Sequence, residues 1–284
     1  MLTSTTCTTV DSLRSDHEEA DTRMLLHAKH ASLTCDKVMI YTPDTDVIIT
    51  AMSMCSAIEA NLFVMTGKGN ARRIIDIALI SNKANETINK TDCDKNTFLG
   101  ALIGYHSFTG CDTTSCFAGR GKARPLSIMA SKERYMDVFA SLGRGETVSV
   151  EHENILESFV CEMYGEKCRR DESLCVDDAR YKIYCRKNGK LPYDSLPPCR
   201  NVLAQHTKRS NYQANIWRRC LEPIINPECP TQQHGWCMED GLGRTKIMFS
   251  FASPPASIFL ILEIKIYFGI SFICVFISVP RVRI

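Results

Sequence analysis

No two cysteines in this chain are spaced C-x-x-C, although there are 15 of them in 284 residues. The spacing excludes a zinc ribbon or knuckle, whose ligands come in such pairs. No N-terminal signal peptide directs the chain to an oxidising compartment, so the thiols read as reduced and the protein as intracellular. Excess charge is missing too, with Lys+Arg 34 against Asp+Glu 32. A bulk basic field is therefore excluded, and any contact with nucleic acid must come from a local patch. Long apolar runs are absent until residues 258–279 (IFLILEIKIYFGISFICVFISV). That run is long enough to span a bilayer at about 1.5 Å per residue. Glu263 and Lys265 are costly inside a membrane, while Arg281 and Arg283 flank the run. A C-terminal anchor, a buried helix and read-through of non-coding sequence are the available readings, and the last is preferred.

Lys37-Val38-Met39-Ile40-Tyr41-Thr42-Pro43-Asp44-Thr45-Asp46 is the stretch that organises the rest. It reads as a short β-branched strand running into Pro43 and then into two aspartates two residues apart. On extended backbone positions i and i+2 point the same way, so Asp44 and Asp46 can aim at one point. Two carboxylates together need a cation, and hard oxygen ligands favour Mg²⁺ or Mn²⁺. The plainer reading makes Asp46 the N-cap of a helix over 47–55 and Asp44 a turn residue.

Residues 1–16 are polar and without periodicity, which reads as a disordered leader. A helix follows to about Ser32, with Asp16 as N-cap and Glu19 three residues later as in a capping box. Residues 61–66 read as a second strand, a Gly-Lys-Gly turn follows, and 72–77 can be its hairpin partner. Residues 81–93 read as polar loop or short helix. Asp94 then starts a helix with Phe98, Leu99, Leu102, Ile103 and His106 at helical spacing, stopped by Gly110-Cys111-Asp112. Next comes the basic turn Gly119-Arg120-Gly121-Lys122-Ala123-Arg124 before another helix. Its glycines free backbone amides beside three cations, which suits an anion; the alternative is an ordinary solvated loop.

Taken in order, these motifs resemble the flap endonuclease (XPG-type) nuclease family, with its PIN-like α/β fold. The segments "EEADTRMLLHA", "TPDTDVI" and "GYHSFTGCDTTSCFAGRGKARPL" are similar to an uncharacterised animal subgroup of that family, and the likeness covers about residues 17–135. It implies that Glu19 and Asp21 are the paired acids at a helix start, Asp44 and Asp46 the Asp-x-Asp pair, and Asp112 the aspartate after a helix. These acids would hold two Mg²⁺ or Mn²⁺ ions for hydrolysis of phosphodiesters. Gly119, Arg120, Gly121, Lys122 and Arg124 would match a helix-two-turn-helix that grips DNA backbone without reading sequence. DNA as partner implies a nuclear location.

The family also begins with a buried strand bearing another aspartate, and residues 1–16 hold no apolar strand to match it. An incomplete PIN-like core that turns over little is therefore expected, with a DNA-binding module that lacks hydrolysis and a tail-anchored membrane protein as alternatives. Residues 136–250 read as a helical extension, with helices near 135–142, 150–164, 174–187 and 202–220. Trp217 reads as a core anchor there, and "HGWCMEDG" as a turn. Nothing in the sequence sets the oligomeric state.

Overall fold

The computed structural model describes residues 11–88, 95–166, 174–188, 190–192, 195–226, 232–239 and 244–247. Strand β1 (Lys37–Tyr41) turns Val38 and Ile40 inward and leaves Lys37, Met39 and Tyr41 outside, as the two-residue period requires. It pairs in parallel with β2 (Asn61–Thr66), and β2 pairs antiparallel with β3 (Arg73–Asp76), giving the order β1-β2-β3. A parallel neighbour needs a crossover, and α2 (Thr45–Met54) lies between β1 and β2. The hairpin expected from the Gly-Lys-Gly turn is present, with Val64 opposite Ile75.

Helices supply most of the rest: α1 (Ala20–Ser32), α3 (Ile77–Ile88), α4 (Lys95–Thr109), α5 (Ala123–Ala130), α6 (Glu133–Ser141), α7 (Val150–Met163), α8 (Val176–Arg186) and α9 (Arg200–Arg218). The protein is thus mixed α/β, with a small sheet and a larger helical layer. Its apolar core runs without interruption from Leu25 and Val38 through Phe108, Phe139 and Phe159 to Trp217. Residues on both sides of position 135 therefore share one interior. Edge-to-face aromatic pairs mark its centre, with Phe139 and Phe159 ring centroids 4.9 Å apart and Phe108 and Phe139 5.5 Å apart.

Several local expectations give way to longer-range contacts. Asp16 does not cap α1: its carboxylate accepts the backbone N–H groups of Ile225 and Asn226 at 2.8 and 2.7 Å. Helix α1 starts later, with Glu19 as N-cap and no side-chain cap bond. Residues 11–16 are accordingly not free leader, for Asp11–Leu13 form a 3-10 turn and the Asp16 N–H donates to the Pro223 carbonyl. Of the two readings of residues 81–93, loop or short helix, the helix holds for the first part, where α3 runs from Ile77 to Ile88. Trp236–Glu239 is a strand, β4, paired with β5 (Arg244–Ile247), where a turn was expected. No helix among the described residues is long and apolar enough to cross a membrane. Asp94 and the expected apolar segment 258–279 lie outside the described residues.

Candidate metal centre

The end of β1 builds the first wall of the site. The Thr42 N–H continues the ladder to Met65 O, and the Asp44 N–H donates to Thr42 Oγ1 at 3.1 Å. Asp44 then caps α2, its Oδ1 accepting the Asp46 N–H at 2.8 Å. The helix begins two residues earlier than 47, so Asp44 and not Asp46 is the cap. Capping engages one oxygen of Asp44 and leaves the other. Asp46, on the first turn of α2, is buried.

Asp21 reaches the same point from the first turn of α1. One carboxylate oxygen from each of Asp21, Asp44 and Asp46 lies within 4.8 Å of the others. Among the described residues no other group of three such side chains comes together in this way. An all-oxygen donor set of this kind fits Mg²⁺ or Mn²⁺ better than zinc. His27 and His30, which could have offered nitrogen ligands, are not part of it.

Glu19 stands behind the cluster. Both its oxygens accept from Gln213 Nε2 at 3.2 Å, and Oε2 accepts the Trp217 indole N–H at 3.2 Å. Burial raises its pKa above the usual carboxylate value; the bonds from Gln213 and Trp217 oppose this, and the charges of Asp46 and Asp112 add to it. Asp21 is pushed up to about 6, first by burial and then by Asp44, Glu19, Asp46 and Asp112. Mutual repulsion among these acids is thus built into the site. Asp112 is solvent-exposed and enters through that field, with no direct bond to the other acids. It follows Gly110, whose φ of +112° ends α4; a Cβ there would lie 2.7 Å from Cys116 Cα.

The structure thus gathers Asp21, Asp44 and Asp46 closely, with Glu19 and Asp112 within electrostatic reach. The basic turn is less uniform. Gly119 has φ +67°, and a Cβ at Gly119 or Gly121 would meet open space. The Arg120 guanidinium lies 4.3 Å from the centre of the Tyr164 ring, and Arg124 is exposed in the first turn of α5. Lys122, by contrast, is partly buried and points inward. Its Nζ is 2.8 Å from His106 Nδ1, and His106 Nε2 is 2.7 Å from Asp46 Oδ1.

His106 and Gln213 were not legible as site residues. His106 falls on the apolar stripe of α4, where a core histidine is the ordinary reading. For Gln213 a signal exists: the buried side of α9 carries His206, Thr207, Arg209, Ser210, Asn211 and Gln213, far more polar than packing alone requires. Trp217 is buried as expected and also donates to Glu19. Comparisons with protein-family models, with curated proteins and with solved structures return no match.

Proposed function

We propose that this protein is a divalent-cation-dependent, nuclease-like protein acting on nucleic-acid phosphodiesters, built on a PIN-like core and related to the flap endonucleases. The observation that supports it is the convergence of Asp21, Asp44 and Asp46, from two separate elements, on one point. In this reading Asp21, Asp44 and Asp46 hold Mg²⁺ or Mn²⁺, and Glu19 and Asp112 complete the negative field. When bound, the cation supplies Lewis-acid stabilisation of phosphoryl oxygens and activation of the attacking water. The protein's own part is to hold the carboxylates in place: Asp44 through its cap bond, Asp46 through His106, and Glu19 through Gln213 and Trp217. Arg120 and Arg124, beside the uncrowded backbone at Gly119 and Gly121, position the phosphate backbone of DNA.

Titration calorimetry with Mn²⁺ tests the centre directly. The wild type is expected to bind, and Asp44→Asn/Asp46→Asn to bind about 100-fold more weakly, at least the effect that outer-shell partners have on metal sites. Equal, weak affinity in both proteins would remove the site. A gel assay on flap, nicked and single-stranded DNA with Mg²⁺ or Mn²⁺ is the second readout. Any cleavage should vanish in Asp46→Asn; cleavage that persists would place the chemistry elsewhere.

The DNA contact makes a separate expectation. Changing Arg120 and Arg124 together to Ala should weaken binding to all sequences alike and reduce the salt slope by up to about 2. Loss confined to one sequence, or an unchanged slope, would rule out backbone gripping by this turn.

A further inference from the structure

Lys122 sits on the loop expected to hold phosphate, yet its ammonium is used inside the protein. Besides approaching His106 Nδ1, Nζ donates to the Gly110 carbonyl at 2.5 Å. The Lys122 carbonyl in turn accepts the hydroxyl of buried Tyr105. Main chain and side chain are thus both pinned by the last turns of α4. The His106 and Asp46 side chains are 6% and 10% exposed, so their 2.7 Å contact is shielded from water.

Elementary hydrogen bonding then orders the chain of contacts. A carboxylate accepts, so the Nε2 that meets Asp46 carries the ring hydrogen. The Lys122 ammonium, which has donors only and lies 2.8 Å from Nδ1 and 3.4 Å from Nε2, is left with Nδ1 as its acceptor. The ring hydrogen of neutral His106 is therefore on Nε2, and it is donated to Asp46 Oδ1. One oxygen of Asp46 is thereby anchored and the second is left for a cation. The same ammonium holds Gly110, two residues before Asp112, so it also sets the loop carrying that acid.

We propose that Lys122 and His106 are positioning residues of the acidic centre: Lys122 fixes the His106 tautomer, His106 orients Asp46, and the Lys122–Gly110 bond places the loop that bears Asp112. This rests on the cation-site reading above. It assigns Lys122 to the site and removes it from the phosphate-gripping set. Burial lowers the Lys122 pKa, and the charge of Asp46 opposes that shift. The arrangement matches a general rule of metal centres, in which outer hydrogen bonds orient the ligands.

The test uses the intact chain, Mn²⁺ as probe, and four variants whose melting temperatures are checked first. His106→Leu should weaken Mn²⁺ binding about 10- to 100-fold, whereas His106→Gln, which keeps a donor, should restore much of it. Lys122→Met should weaken it about tenfold, and His106→Leu/Lys122→Met should lose clearly less than the product of the two single losses, because the two act in series on Asp46 and only the Lys122–Gly110 bond acts apart from His106. The salt slope of DNA binding should not change in Lys122→Met, where loss of a phosphate contact would reduce it by about 1. Additive losses, or a reduced slope, would overturn the proposal. If the wild type takes up no Mn²⁺, the cation-site reading fails and ¹⁵N spectra of the metal-free imidazoles decide the arrangement by themselves. An Nε2–H tautomer at His106 that is lost in Lys122→Met supports it; an Nδ1–H tautomer in the wild type overturns it.

Discussion

Gly104→Ala should cost the fold about 3 kcal/mol or more, the upper end of what overpacking a core does. Gly104 lies on α4 where α6 crosses it. A Cβ built there would stand 2.1 Å from the Phe139 carbonyl oxygen and 3.0 Å from Leu142 Cβ. Backbone cannot step aside as a side chain can. The end of α6 is moreover tied down by Arg218, which donates to the carbonyls of Phe139, Ala140 and Leu142 at 3.3, 3.0 and 2.6 Å. Moving α6 to admit one methyl group would break those bonds and shift His106, two residues along α4. The melting temperature should fall by roughly 6–12 °C. Gly100, one turn earlier, is the control. A Cβ there meets nothing closer than Arg144 Nη2 at 3.9 Å. Gly100→Ala should therefore gain up to about 1 kcal/mol from helix propensity. Equal effects of the two substitutions in thermal melts would show that α4 and α6 do not touch as described.

Asp21→Asn should have opposite effects with and without a cation. The folded protein raises the Asp21 pKa from 3.8 to about 6. A raised pKa means that the folded state holds this proton more tightly than the unfolded chain does. The associated stability is fully present below pH 3.8 and is lost as the pH rises through about 6. At about 1.36 kcal/mol per pKa unit, and discounted by roughly half because Asp21 is partly solvated, the penalty above pH 6 is about 1–2 kcal/mol. Removing the charge removes the penalty. Metal-free Asp21→Asn should thus melt about 2–6 °C above the wild type at pH 8 and level with it near pH 4. Saturating Mn²⁺ should reverse the order, since binding at 100 times Kd stabilises the wild type by about 2.7 kcal/mol and the variant has lost a ligand. Melts at both pH values with and without Mn²⁺ check this. A variant less stable than the wild type in the absence of metal, or one stabilised equally by Mn²⁺, would show that Asp21 does not belong to the cluster.

Converging acids cost the fold stability, and under the proposed cation-site reading that cost is the counterpart of binding. Burial of Glu19 among Gln213 and Trp217 sharpens it. The two donors offset part of the cost of enclosing that carboxylate, and they come from a helix nearly two hundred residues away in sequence.

What the sequence determined by itself is the local part of this design. The strand Lys37–Tyr41, the hairpin after Asn61–Thr66, and the turn at Gly110 follow from a few adjacent residues, and each formed where expected. Asp44 and Asp46 were recognisable as a pair, but the strand geometry expected for them is not what joins them: Asp44 caps α2 and Asp46 lies in its first turn, so a helix start holds the two acids together. Tertiary structure decided the rest. Asp16 has the spacing of a helix cap, yet the free amides of Ile225 and Asn226 are stronger claimants for its carboxylate than the α1 N-terminus. Lys122 has the look of a phosphate ligand, yet the Gly110 carbonyl and His106 enclose it. His106 has the position of a core residue, yet Asp46 from another element gives it a polar partner. In each case the local signal states which bonds a residue is able to make, and folding chooses among partners 12 to 210 positions away according to which buried polar group would otherwise go unsatisfied.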